Sequence, residues 1–126
     1  MNILNLLRPD QSMRHNYGFK ALIPSKSGKM NISVICGESI YSNPRENLEN
    51  PKDYKTLEIA LFNAETMNWA SYNEASPVFA IIGNGEYCQF EWDDNNEEIE
   101  RDLNVPQSAV FAYVTVEDIS KVWETL

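Results

Sequence analysis

Histidine is nearly absent from this sequence: 126 residues contain only His15, alongside two cysteines and five glycines. A serine or cysteine hydrolase needs a base beside its nucleophile, normally a histidine oriented by a third group. His15 lies in the polar run Arg14-His15-Asn16, where a solvent-facing imidazole is expected. Zinc sites require clustered Cys and His, and Cys36 and Cys88 stand far apart, each inside an apolar stretch without basic neighbours. Buried free thiols are the expectation for both. The glycines are scattered, so no dinucleotide fingerprint forms. In Ser27-Gly28-Lys29 the Gly-Lys step of a phosphate loop is present, but Ile23 replaces the first glycine and Met30 the following Ser or Thr.

Long apolar runs are missing as well. None approaches the roughly 18 residues of a membrane-spanning helix. Residues 1–8 hold only Ile3, Leu6 and Leu7 as an apolar group, with no basic segment before it and no cleavage site after it, so a cytoplasmic protein is expected.

What is present fits one folded domain over residues 1–126. Apolar residues make up 43%, aromatic 11% and charged 23%, enough to fill one core and unlike a disordered chain. The net charge of −9 is uneven: residues 1–30 carry +4, residues 31–90 carry −5 and residues 91–126 carry −8.

Period-two alternation predicts a strand over residues 17–23, a turn at Ser25-Lys26-Ser27-Gly28-Lys29, and a second strand holding Met30, Ile32, Val34 and Cys36. Residues 41–54 read as a long loop, because Asn43-Pro44 and Asn50-Pro51 each push the residue before proline out of helical geometry. A strand follows over residues 57–62, then a turn near Ala64-Glu65-Thr66 into a short strand holding Trp69. Residues 77–82, ahead of Gly83-Asn84-Gly85, read as one arm of a hairpin whose other arm holds Cys88, Phe90 and Trp92. Residues 93–104 read as a short acidic helix capped by Asn95 or Asn96 and anchored by Ile99 and Leu103. One more strand spans residues 110–114. A C-terminal helix begins at Thr115, where Thr-Val-Glu-Asp resembles a capping box, with Ile119, Val122, Trp123 and Leu126 as its apolar stripe. The expected fold class is α+β: an antiparallel meander of about five to seven short strands, with the acidic helix and the C-terminal helix on one face.

Two segments are candidates for function. The first is the acidic run with Glu91, Asp93, Asp94, Glu97, Glu98, Glu100 and Asp102 against Arg101. Such a face suits a basic groove built for nucleic acid and would repel nucleic acid itself. A calcium loop counted from Asp93 fails in register, with Glu98 where glycine is needed and Asn104 where a bidentate Glu is needed. The second is the loop with Tyr41, Asn43, Arg45 and Tyr54, a mixture of groups suited to a small ligand.

In small size, net acidity and lack of catalytic motifs the chain resembles phage-encoded inhibitors, such as anti-CRISPR and DNA-mimic proteins; the resemblance is one of composition. It implies a non-catalytic inhibitor that occupies the nucleic-acid-binding surface of a partner protein. The alternatives are a small-molecule-binding module and a structural or assembly subunit. No metal, cofactor, membrane or direct nucleic-acid contact is expected; the opposed charges of the two ends suit self-association into a homo-oligomer.

Overall fold

Alternating apolar and polar residues build the sheet in the manner the sequence predicts. The computed structural model describes residues 2–10, 18–38, 40–83, 90–92, 94–100, 102–107 and 109–126, with residues 10 and 90–92 described by their backbone. The strands are β1 (Arg8–Asp10), β2 (Gly18–Pro24), β3 (Met30–Cys36), β4 (Thr56–Asn63), β5 (Phe90–Trp92), β6 (Glu98–Glu100) and β7 (Val110–Thr115). The helices are α1 (Tyr72–Ile82) and α2 (Val116–Thr125). Among the described residues five strands form one antiparallel sheet in the order β1-β2-β3-β4-β7, and β5 and β6 form a separate two-stranded sheet. The fold is α+β.

One side of the sheet presents Phe19, Ala21 and Ile23 from β2, Met30, Ile32, Val34 and Cys36 from β3, and Leu57, Ile59 and Leu61 from β4, all buried. Ala75 and Val78 of α1 and Ile119 and Val122 of α2 join the same core, together with Ile3 and Leu7. Each large aliphatic side chain buried there contributes roughly 1.5–3 kcal/mol. The N-terminal segment is therefore part of the core: a 3₁₀ turn at Ile3–Leu6 delivers Ile3 and Leu7 before β1 adds to the sheet edge.

Helix α2 starts as expected, with Thr115 Oγ1 accepting the Asp118 N–H at 3.2 Å. Its far end is tied to the β2–β3 turn. Trp123 Nε1 donates to Pro24 O at 2.9 Å, and Lys26 N–H donates to Trp123 O at 3.1 Å.

Residues 77–82 are not a strand. They belong to α1, whose start is the capping box Ser71-Tyr72-Asn73-Glu74: Ser71 Oγ accepts Glu74 N–H at 3.1 Å, and the Glu74 carboxylate accepts Ser71 N–H at 3.1 Å. Pro77 sits inside this helix and cannot bond to the carbonyl four residues back, which is Asn73 O. Ser76 Oγ donates to that carbonyl instead, at 2.9 Å. Gly83, with φ 78°, caps the end of the helix, and its N–H donates to Phe79 O at 2.9 Å.

The acidic segment is not a helix either. Glu98–Glu100 is a strand facing Phe90–Trp92, with Glu91 opposite Ile99. A helix here would stack Asp94 on Glu98 and Glu98 on Asp102 at i, i+4, where like charges repel. Asn96, at φ 58°, adopts the left-handed conformation that asparagine tolerates in turns. Ile99 is 41% exposed and anchors nothing. The strand expected around Trp69 is reduced to a single antiparallel bridge, Phe62 to Trp69, with the two rings stacked 4.7 Å apart. The hairpin turn at 84–85, Cys88, His15 and Tyr17 lie outside the described residues.

Candidate functional site

The acidic residues gather on the β5–β6 hairpin. Asp94, Glu97, Glu98, Glu100 and Asp102 are all exposed; Glu91 lies in β5 and is described by its backbone, and Asp93 lies outside the described residues. Successive residues of a strand alternate sides, so Glu98 and Glu100 project from the same face about 6.7 Å apart. Neither is in an ion pair with a described residue, whereas Lys121 pairs with Glu117 at 3.5 Å and with Asp118 at 3.9 Å. Beyond the strand, Asp102 turns inward to its own backbone, with Oδ1 accepting Asn104 N–H at 3.0 Å. It closes an Asx turn.

The second candidate is built by the loop 37–54 and by an irregularity in β7. Ser42, buried, bridges the loop's main chain: its hydroxyl lies 2.9 Å from Pro44 O and accepts Gly37 N–H at 3.1 Å. The Asn43–Pro44 peptide is cis. Asn43 pairs with the start of β4, its N–H donating to Thr56 O at 3.2 Å and its carbonyl accepting Lys55 N–H at 2.8 Å. Tyr54 is 3% exposed; its hydroxyl donates to Glu46 O and accepts Leu48 N–H at 2.9 Å. Burial raises the Tyr54 hydroxyl's pKa above its ordinary value, with the Leu48 N–H opposing the shift. Tyr54 therefore shapes the loop from within, and Asn43, exposed, fastens it to β4 through its main chain.

Tyr41 and Arg45 face outward together. The Arg45 guanidinium lies 5.1 Å from the centre of the Tyr41 ring, and its Nε donates to Ile40 O at 3.1 Å. A third residue joins them that loop composition does not announce. Between the pairs Leu57–Val114 and Ile59–Phe111 the register shifts, so β7 carries an extra residue and bulges at Ala112 and Tyr113. Tyr113 adopts φ 54°, which costs a bulky residue about 1–2 kcal/mol. Its N–H donates to Tyr41 O at 2.9 Å, and the two rings lie 6.0 Å apart. Tyr41 is 43% and Tyr113 49% exposed. The bulge thus turns an aromatic ring toward the loop's aromatic and cation, where regular pairing would alternate it to one face of the sheet.

Cys36 is buried and free, with its thiol pushed up to about 12 by burial, against a weak bond to Phe19 O. It lies in the core, on the buried side of the loop near Tyr54. A wide surface hollow of about 790 Å³ lies where the β2–β3 turn meets the N-terminus of α1; Glu74, on its wall, is committed to the capping box. Comparison with protein-family models, with curated proteins and with solved structures gives no match.

Proposed function

We propose that this chain is a non-catalytic protein-binding module that presents the β5–β6 hairpin to a basic surface of a partner protein. The observation that carries the reading is that Glu98 and Glu100 project from one strand face, in no ion pair with a described residue, on a two-stranded hairpin separate from the main sheet. Unpaired carboxylates on a projecting element lose little hydration until a cation meets them, and they steer association from a distance. The partner chemistry that suits them is a groove lined with Lys and Arg, of the kind that holds a phosphate backbone, so occupation would exclude nucleic acid and inhibit the partner. Nucleic acid itself is repelled by a chain of net charge −9.

Joint substitution Glu97→Gln, Glu98→Gln, Glu100→Gln and Asp102→Asn tests the reading. Proteins retained by the unaltered chain at about 50 mM salt should be released near 200 mM, compete with duplex DNA for it, and be absent from the substituted chain. Equal retention by both chains sinks the proposal.

The Tyr41, Arg45 and Tyr113 cluster supports a second reading, a site for a planar or carboxylate-bearing small ligand. The observation in its favour is the strained Tyr113 backbone, since strain of this kind collects at ligand-binding positions. Tyr113→Ala should abolish ligand-induced change in tyrosine fluorescence; an unchanged response excludes this site.

A further inference from the structure

Two tyrosines distant in the chain are brought together at the surface by the pairing of β7 with β4. Among the described residues, Tyr54 is buried with its hydroxyl bonded to Glu46 O and to Leu48 N–H, and Tyr72 is half-buried against Phe79, ring centres 5.0 Å apart. Tyr41 and Tyr113 are the exposed ones, at 43% and 49%; Tyr17 and Tyr87 lie outside the described residues. The Tyr41 and Tyr113 ring centres are 6.0 Å apart, with the planes tilted by 55°.

Main chain holds this pair in place. Tyr113 N–H donates to Tyr41 O at 2.9 Å, and the bulge that carries Tyr113 is flanked by the pairs Leu57–Val114 and Ile59–Phe111. Next to Tyr41 the loop is fastened to β4, where Asn43 N–H meets Thr56 O at 3.2 Å and Lys55 N–H meets Asn43 O at 2.8 Å. The rings themselves turn as exposed side chains do, in picoseconds to nanoseconds. Two groups held in this way meet at an effective concentration far above that of separate molecules. Arg45 lies over the Tyr41 ring, 5.1 Å from its centre. The guanidinium covers a face of that ring, whereas the carbons beside the hydroxyl lie at its edge.

We infer that Tyr41 and Tyr113 form an oxidative cross-linking site, at which a one-electron oxidant, such as a haem peroxidase supplied with hydrogen peroxide, joins the two rings carbon to carbon. Each phenol gives one electron to the oxidant and its hydroxyl proton to water. Two phenoxyl radicals result, with unpaired density on the carbons beside each oxygen. A single bond forms between one such carbon of Tyr41 and one of Tyr113. The hydrogen on each joined carbon then passes through water to the oxygen of its own ring, which restores both phenols. The chain loses two hydrogen atoms in all, and one hydrogen peroxide takes up the two electrons and two protons to become two waters. The product is a covalent staple between the loop 37–54 and β7. Coupling needs the two rings and no bound ligand, so it stands apart from the ligand-binding reading of the same cluster.

Brief oxidation of the whole chain by light-activated ruthenium tris-bipyridyl, with persulfate as electron acceptor, tests this in buffer and in denaturing urea alike. Monomer recovered by size exclusion should show the blue fluorescence of coupled tyrosine. Trypsin should release from it residues 30–45 joined to residues 102–121, two hydrogens lighter than the two peptides together; each of these peptides holds one tyrosine. Tyr41→Phe and Tyr113→Phe, each with unchanged circular dichroism, should abolish the joined peptide. Oxidation in urea should lower its yield about tenfold or more, because the fold no longer supplies the effective concentration. Should a Phe variant unfold, the comparison of buffer with urea on the unaltered chain still decides. Absence of the joined peptide from oxidised monomer, coupling confined to other tyrosines, a yield that survives urea, or coupling found in covalent dimers alone would each overturn the assignment.

Discussion

Tyr113 donates its main-chain N–H to the carbonyl of Tyr41, 2.9 Å away, while its own backbone sits in the left-handed region at φ 54°. The bond joins the edge of the sheet to the loop and holds the two rings together. Glycine at 113 removes the steric penalty but also removes the ring and adds unfolded-state entropy. Tyr113→Gly is therefore expected to change stability by less than about 1 kcal/mol in urea denaturation, whereas β-branched Tyr113→Val should cost about 1–2 kcal/mol. A Val variant as stable as the parent would show that the bulge is not strained.

Glu74 gives the fold an acid-sensitive point. Burial alone would raise its carboxyl, but hydrogen bonds from the Asn63 amide, at 2.8 Å, and from Ser71 outweigh that, and its pKa is lowered. A carboxyl lowered on folding contributes stability that is present above the unfolded value, about 4.3, and is lost as pH falls through the folded value. Glu74→Gln keeps the capping-box acceptor and should flatten this part of the pH profile with little loss at pH 7. Glu74→Ala should cost about 1 kcal/mol at pH 7. Thermal unfolding from pH 7 down to about pH 3 separates the two variants.

Cys36 titrates in the opposite sense. Its thiol is pushed up to about 12, so the folded chain holds it protonated at pH 8, where an exposed thiol near 8.5 is partly ionised. With Cys88→Ser as background, alkylation at pH 8 should be slow in the native protein and fast in denaturant. The same shift means that stability present below about pH 8.5 is lost progressively as pH rises toward the folded value. Rapid native alkylation would contradict the burial of this thiol.

Ile99 and Ile119 discriminate the hairpin from the helix that periodicity suggests at the same place. Ile119 is fully buried, and Ile119→Ala should cost about 2–5 kcal/mol. Ile99 is largely exposed, and Ile99→Ala should fall within about 0.5 kcal/mol of the parent. A large loss at Ile99 would mean that the acidic segment docks on the core after all.

Trp123→Phe removes the donor to Pro24 O while keeping the ring. About 1 kcal/mol of stability should disappear, with faster amide exchange in the last turn of α2 as the local readout.

Strands β2, β3, β4 and β7 and helix α2 were legible because each buries one face and writes that face as a clean period: Met30, Ile32, Val34, Cys36 for a strand, Ile119 and Val122 for a helix. Helix α1 was obscured by Pro77, which ordinarily argues against a helix interior, although Ser71-x-x-Glu74 marked its start and Gly83 its end. Hairpin β5–β6 was obscured because its described acidic strand is exposed on both sides, so neither periodicity is enforced by a core. At the candidate sites, Tyr41 and Arg45 could be picked from loop composition. Tyr54 shares that composition and turns inward. Tyr113 could not be found, because a bulge depends on which strand lies alongside, and that pairing is set by the whole sheet.

Strands β4 and β7 are neighbours in the sheet, yet α1, β5 and β6 lie between them in the chain. The β2–β3 hairpin closes through a short turn and β4 joins it after the loop 37–55, but β7 can dock only after the much longer excursion from Asn63 to Val110 has been brought back, and loop-closure entropy opposes that step. Pairing of β7 with β4 is thus the natural bottleneck in folding. Until it is made, the edge of β4 stands open, Phe111 and Val114 remain in water, and Tyr113 has no loop to meet.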